Sequence, residues 1–246
     1  MNNLILSSQN VQQLGNNKFE VISNELSYHL KSILKLRDGT SLKLKVLLPD
    51  KAEGLAKVYF DGQQKIKITV ISTNEKVLTR KIHLGLATTR PLMAKRILEH
   101  ATTLGAASFN FFEADLSEKS YFDSKVYKDE VSKKYIYKGM SQCSRYISVP
   151  MFNRYESLDL CIKYFKNQNI PLFWLDRDGE ATLSEAACVG EVALLIGPER
   201  GWTKREVEYF RYLGVECVKL SNSNLRVEFA VSAAFAQLEF IEMSKN

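Results

Sequence analysis

The chain has 246 residues, 45% of them hydrophobic and 25% charged. This composition excludes disordered, collagen-like and coiled-coil classes and allows one large domain or two small ones. A net charge of +6 fits a phosphate-rich partner. Four cysteines without C-x-x-C spacing, no secretory-type start and no bilayer-length apolar run predict a cytoplasmic protein with no zinc site and no membrane partner.

Residues 1–75 read as mostly β. Thr40–Leu48, Gly54–Phe60 and Gln64–Ile71 are strand-like, and Asp61-Gly62 predicts a tight hairpin between the last two. One short helix interrupts them. Asn24 is its expected cap, with Leu26, Leu30, Ile33 and Leu34 at helical spacing. A small β-barrel with one helix fits the pattern, and the polar stretch 72–80 reads as a linker.

Strands and helices then alternate. His83–Thr88 is a strand. Pro91 opens a helix with Ile97, Leu98, Ala101 and Leu104 as its apolar stripe, and Gly105 ends it. Ala107–Phe112 is the next strand. Phe122–Met140, rich in Lys and Tyr, predicts a single charged, mostly exposed helix. Glu156–Lys166 predicts a helix, and Pro171–Asp176 a strand turning at Asp178-Gly179.

Val192–Ile196 is wholly apolar, as a strand buried on both faces should be. Gly197-Pro198-Glu199-Arg200-Gly201 follows directly. Thr203 and Glu206 have capping-box spacing, so a helix starts there and stops at Gly214. Val215–Leu220 is a strand, Ser221–Asn224 a polar loop, and about 226–243 a final helix. The alternation implies an α/β domain with a parallel sheet.

Two loops therefore follow the carboxyl ends of strands, where open α/β sheets bind ligands. No P-loop, G-x-G-x-x-G, H-E-x-x-H or EF-hand pattern is present. Arg226, at the start of the last helix, gains nothing from the helix dipole. It is the better candidate for holding an anionic group, whereas Glu228 is favoured there anyway.

Five segments, in order, resemble the ribosomal RNA small subunit methyltransferase E family: HLKSILKLRDG, RPLMAKRILEHATTLGAASFNFF, SQCSRYISVP, LLIGPERGWTKREVE and LSNSNLRVEFAVSAAF. The resemblance implies a PUA-like RNA-binding β-barrel over residues 1–74. It implies a SPOUT methyltransferase domain with a C-terminal trefoil knot over 80–246, working as a homodimer. The implied reaction is methyl transfer from S-adenosylmethionine to ring nitrogen 3 of a uridine in 16S rRNA of the small ribosomal subunit. Leu175, Ile196, Gly197, Pro198, Glu199, Gly201, Leu220, Ser221, Asn224 and Leu225 would bind the cofactor. Arg226 would be catalytic, stabilising charge on the uracil, with Glu228 orienting it or assisting proton removal. Lys35, Arg37, Arg90, Arg145 and Arg200 would contact RNA, and no metal is implied.

The chain departs from the family pattern at several points. Arg200 stands where the family has Gly, and R-T-E-T becomes Arg226-Val227-Glu228-Phe229. K-x-x-E-L-G becomes His100 through Gly105, losing both charges, and Ser221 replaces a Gly. Two further readings stay open: another SPOUT enzyme, acting on tRNA or a ribose 2′-hydroxyl, and a non-catalytic RNA-binding or assembly protein of the same fold.

Overall fold

The computed structural model describes residues 3–61, 63–74, 81–143, 148–186 and 190–244. The chain divides into two compact units, Met1–Thr79 with Met140–Val149, and Arg80–Gly139 with Pro150–Asn246.

The first unit is a six-stranded sheet. Its strands are β1 (Leu4–Ile5), β2 (Val11–Gly15), β3 (Lys18–Val21), β4 (Ser41–Leu48), β5 (Ala52–Phe60) and β6 (Ile66–Asn74), in the order β1-β4-β5-β6-β3-β2. Only the β1–β4 pairing is parallel. Alternation along β4 to β6 turns Val46, Ala56, Val58, Ile66 and Ile68 into one core with Leu26 and Leu30 of the helical segment. The short strands β1 to β3 carry too little periodicity for sequence reading to find.

Three local expectations are corrected here. The helix α1 (Asn24–Tyr28) is capped by Ser23, whose side chain accepts from Leu26 N at 3.2 Å, and not by Asn24. It continues as a π turn over His29–Ile33, and this wider turn carries Ile33 out to solvent. The hairpin spans Asp61 to Lys65 rather than two residues: Asp61 N donates to Lys65 O, and Asp61 Oδ1 accepts from Gln63 N and Lys65 N. A domain cut at residues 74–80 also misses a return of the chain. Residues 140–149 belong to the first unit, where Asn3 Nδ2 donates to Cys143 O (2.6 Å) and Val149 N to Asp50 Oδ1 (2.7 Å).

The second unit is a seven-stranded, all-parallel sheet. The strands are β7 (Ile82–Ala87), β8 (Ala106–Phe112), β9 (Met151–Tyr155), β10 (Leu172–Leu175), β11 (Ala181–Thr182), β12 (Val192–Ile196) and β13 (Glu216–Lys219), ordered β11-β13-β10-β12-β7-β8-β9. Helices α5 (Leu158–Asn167) and α7 (Lys204–Tyr212) cover one face, burying Cys161, Phe165 and Phe210 with Trp174, Ala193 and Leu195. Helices α2 (Pro91–Leu104) and α8 (Val227–Ser244) pack on each other and on β8 and β12. Covered on both sides, β12 is buried at every residue, as its unbroken apolar run requires.

The expected single helix over 122–140 is broken. Its residues fall into the end of α3 (Lys119–Phe122), a 3-10 turn at Lys125–Tyr127 and α4 (Asp129–Met140). The reason is burial: Val126 and Tyr127 are drawn inside, which a continuous exposed helix could not allow. A short α6 (Leu183–Ala186) completes the unit.

Candidate functional site

Three loops meet at the carboxyl ends of the adjacent strands β13, β10 and β12. With the start of α2 and α8 they enclose a cavity of about 740 Å³, within the roughly 300–1,000 Å³ usual for small-molecule sites. Its walls include Leu175 at the end of β10, Ile196 at the end of β12 with Gly197 through Gly201 after it, and Leu220, Ser221, Asn224 and Leu225 after β13. Arg226 and Glu228 line the same cavity. Residues far apart in sequence thus converge because parallel strands present all their carboxyl ends on one edge.

The β12 loop is held by its own residues. A Cβ on Gly197 would stand 3.0 Å from the Trp202 indole, so glycine here lets that ring lie against the loop. Trp202 Nε1 donates to Leu175 O at 3.1 Å, tying the loop to β10. The left-handed position falls on Gly201 (φ 76°), whose N–H donates to Pro198 O at 2.9 Å. Arg200 is outside the positive-φ set and exposed. The chain therefore carries an arginine at this point without left-handed strain.

Glu199 turns toward β7 and α2. Its carboxylate accepts from Thr89 Oγ1 at 2.6 Å and Arg90 N at 3.3 Å. Thr89 is fully buried, and Tyr127 closes on it: Thr89 N donates to the Tyr127 hydroxyl (3.0 Å), which donates to Thr89 O (2.5 Å). Burial pushes the Tyr127 phenol above its ordinary range, so it remains a donor. The 3-10 turn that breaks the expected helix is what delivers this tyrosine.

The following helix is fixed from outside the loop. Thr203 and Glu206 form the capping box, and buried Glu206 also accepts from Asp115 N at 2.9 Å. Asp115 pairs with Arg205 and accepts from Thr203 Oγ1 at 2.7 Å. The hydrogen bond from Arg205, then that from Thr203, holds the Asp115 carboxyl below its usual range against the opposing pull of desolvation.

Arg226 sits just before α8, its carbonyl accepting from Phe229 N and Ala230 N at 2.9 Å. Its side chain is exposed and Glu228 is half-buried. Of the residues expected at RNA, Arg90 and Arg200 stand at this cavity, whereas Lys35 and Arg37 are exposed in the first unit. Arg145 lies outside the described residues. Sequence reading missed Met93, Asp176, Arg177 and Trp202 on the cavity wall. Asp176 and Arg177 were legible in principle, since they directly follow a strand beside β12.

The chain matches the family described as RNA methyltransferase domain over residues 76–239. It belongs to that family. This RNA methyltransferase domain chain is 27% identical over 211 residues to ribosomal RNA small subunit methyltransferase E 1 of Borreliella burgdorferi, covering 84% of this chain and 86% of that protein. It is 29% identical over 220 residues to ribosomal RNA small subunit methyltransferase E of Treponema pallidum, covering 85% and 80%. In fold, the methyltransferase chain is similar to the ribosomal RNA small subunit methyltransferase E from Neisseria gonorrhoeae solved with S-adenosyl methionine (TM-score 0.73, 14% identity, 98% of each chain). A Legionella pneumophila protein, solved with the cofactor SAM, gives a TM-score of 0.76 at 20% identity over 98% of this chain and 97% of its own.

Proposed function

We propose that the protein methylates ring nitrogen 3 of a uridine in 16S rRNA of the small ribosomal subunit, using S-adenosylmethionine. The observation that carries this reading is the cavity: every cofactor residue carried over from the family resemblance lines it, together with Arg226 and Glu228. The relatives named ribosomal RNA small subunit methyltransferase E support the choice of substrate.

The cavity suits the cofactor's mixed chemistry. Leu175, Ile196 and Leu220 offer apolar surface for an adenine, and the loop backbones at 197–201 and 220–225 offer polar groups for the ribose and methionine parts. Bound there, S-adenosylmethionine supplies an electrophilic methyl group. Uracil nitrogen 3 carries a proton and is a poor nucleophile until it loses it. The Arg226 guanidinium stabilises the negative charge that develops on the uracil carbonyls. Glu228, two residues on in α8, orients that guanidinium or accepts the proton.

The same reading includes finer points of architecture. The first unit is a PUA-like RNA-binding barrel. The second is a SPOUT domain with its C terminus threaded as a trefoil knot, a reading supported by β13 pairing with β10 while α8 returns past β12 to α2. The enzyme works as a homodimer, which the exposed Leu92, Phe229, Phe240 and Met243 on the neighbouring helices α2 and α8 support. Among the described residues no helix is long and apolar enough to cross a membrane, and a ribosomal substrate places the enzyme in the cytoplasm.

Nucleoside mass spectrometry of rRNA and tRNA from cells with and without the gene tests the assignment. Loss of 3-methyluridine from 16S rRNA alone is expected. An unchanged rRNA with an altered tRNA profile would replace this reading with a tRNA-directed one.

A further inference from the structure

The first unit carries a charge arrangement that stability does not explain. In the antiparallel β4–β5 pair, Lys43 stands directly opposite Lys57, and Lys45 opposite Leu55, one step along the same face. All three lysines are exposed. Like charges directly opposite each other across a sheet are destabilising.

Two structural explanations fall short. Lysines protect sheet edges from pairing with other chains, and β1 covers β4 only at Val46 and Leu47, so Lys43 and Lys45 lie on an open stretch of β4; Lys57, paired opposite Lys43 on one side and Thr69 on the other, has no edge to protect. Acidic neighbours neutralise lysines elsewhere in the same sheet. Lys65 and Lys67 both pair with Glu20, and Lys67 also lies 3.5 Å from Asp61. Among the described residues, Lys43, Lys45 and Lys57 form no such pair, although Glu53 lies on the same face of β5 beyond Leu55. The neighbouring ring of Tyr59 lies 5.9 Å from the Lys57 ammonium and shares this face. A row of unneutralised cations beside an aromatic ring is the combination that single-stranded nucleic acid requires.

We propose that Lys43, Lys45 and Lys57 form a docking strip for the phosphate backbone of the RNA substrate, with Tyr59 offering a stacking surface to an unpaired base. The proposal rests on the RNA methyltransferase reading, which supplies the RNA. It assigns phosphate contact to this sheet face, in addition to the contacts that the family resemblance implies for Lys35 and Arg37.

The test uses the full-length chain carrying K43Q, K45Q and K57Q together, with small ribosomal subunits as the RNA and potassium chloride varied. Each phosphate contact contributes about 0.7–0.9 to the slope of log affinity against log salt. The triple variant should have a slope shallower by about 2 and a KM for subunits raised at least about tenfold. Its S-adenosylmethionine affinity should be unchanged, and its Tm unchanged or raised as the repulsion is relieved. Lys67→Gln, removing a lysine already paired, should leave the salt slope as it was. An unaltered slope and KM in the triple variant would overturn the strip while leaving the methyltransferase reading intact. So would a loss confined to binding of anionic lipid vesicles. No methyl transfer by the wild-type chain, with subunit binding still weakened by K43Q, K45Q and K57Q, would instead refute the enzymatic reading and keep the strip.

Discussion

Thr89 donates its hydroxyl to the Glu199 carboxylate at 2.6 Å, joining the loop after β7 to the loop after β12. This bond directs Glu199 to its neighbours in the fold, so within the proposed cofactor site Glu199 is a positioning residue. Tyr127 fixes Thr89 in turn by bonding both its N–H and its carbonyl.

Thr89→Val removes the hydroxyl and keeps the shape. A hydrogen bond to a charged partner contributes about 1.5–3 kcal/mol, so S-adenosylmethionine affinity should fall by about tenfold or more. Thr89→Ser should restore it. Titration calorimetry reads both. A Val variant that binds as tightly as wild type would show that the loop does not depend on this brace.

Arg226→Ala should leave cofactor affinity within about twofold and lower kcat by about 100-fold or more, the scale of losing one charge-stabilising donor. Single-turnover transfer to small subunits measures it. Equal loss of binding and turnover would move Arg226 from the reacting base to the cofactor.

Gly201→Ala forces a side chain into the left-handed region at φ 76°. It should cost about 1–2 kcal/mol and lower Tm by a few degrees. Arg200→Gly, at a position without positive φ, should not raise stability. Thermal unfolding of the two variants separates them, and a stabilised Arg200→Gly would mean that arginine is strained after all.

The Asp115–Arg205 pair has a definite pH signature. Because the folded-state carboxyl titrates below its ordinary 3.8, its stabilising contribution is complete above that value and disappears as pH falls through the folded pKa. Asp115→Asn should therefore be less stable than wild type at neutral pH, with the gap closing as pH falls below 3.8 through the lowered folded-state pKa. Chemical denaturation at several pH values checks this. A gap that persists at low pH would assign the effect to packing.

What could be read in advance follows from the range of the interactions involved. The parallel sheet was legible in the apolar run Val192–Ile196 and in the caps Pro91, Gly105 and Thr203, because these are local signals. The wall of the cavity was legible where a motif carried it, at 197–201 and 220–226. The Thr89–Glu199–Tyr127 brace was not, since it joins residues 110 and 38 positions apart and depends on a buried tyrosine inside a Lys-rich stretch that reads as exposed. The return of 140–149 to the first unit was hidden for the same reason: it rests on single contacts such as Asn3 with Cys143, 140 positions away.

The central claim is the transfer itself. Purified wild-type protein, S-adenosylmethionine with a labelled methyl group, and small ribosomal subunits from cells lacking the gene should yield label in 3-methyluridine of 16S rRNA on nuclease digestion and mass spectrometry. Arg226→Ala should incorporate label at a rate lower by about 100-fold or more. Label in a ribose 2′-O-methyl nucleoside, or no label with a wild-type chain that binds the subunits, would contradict the account.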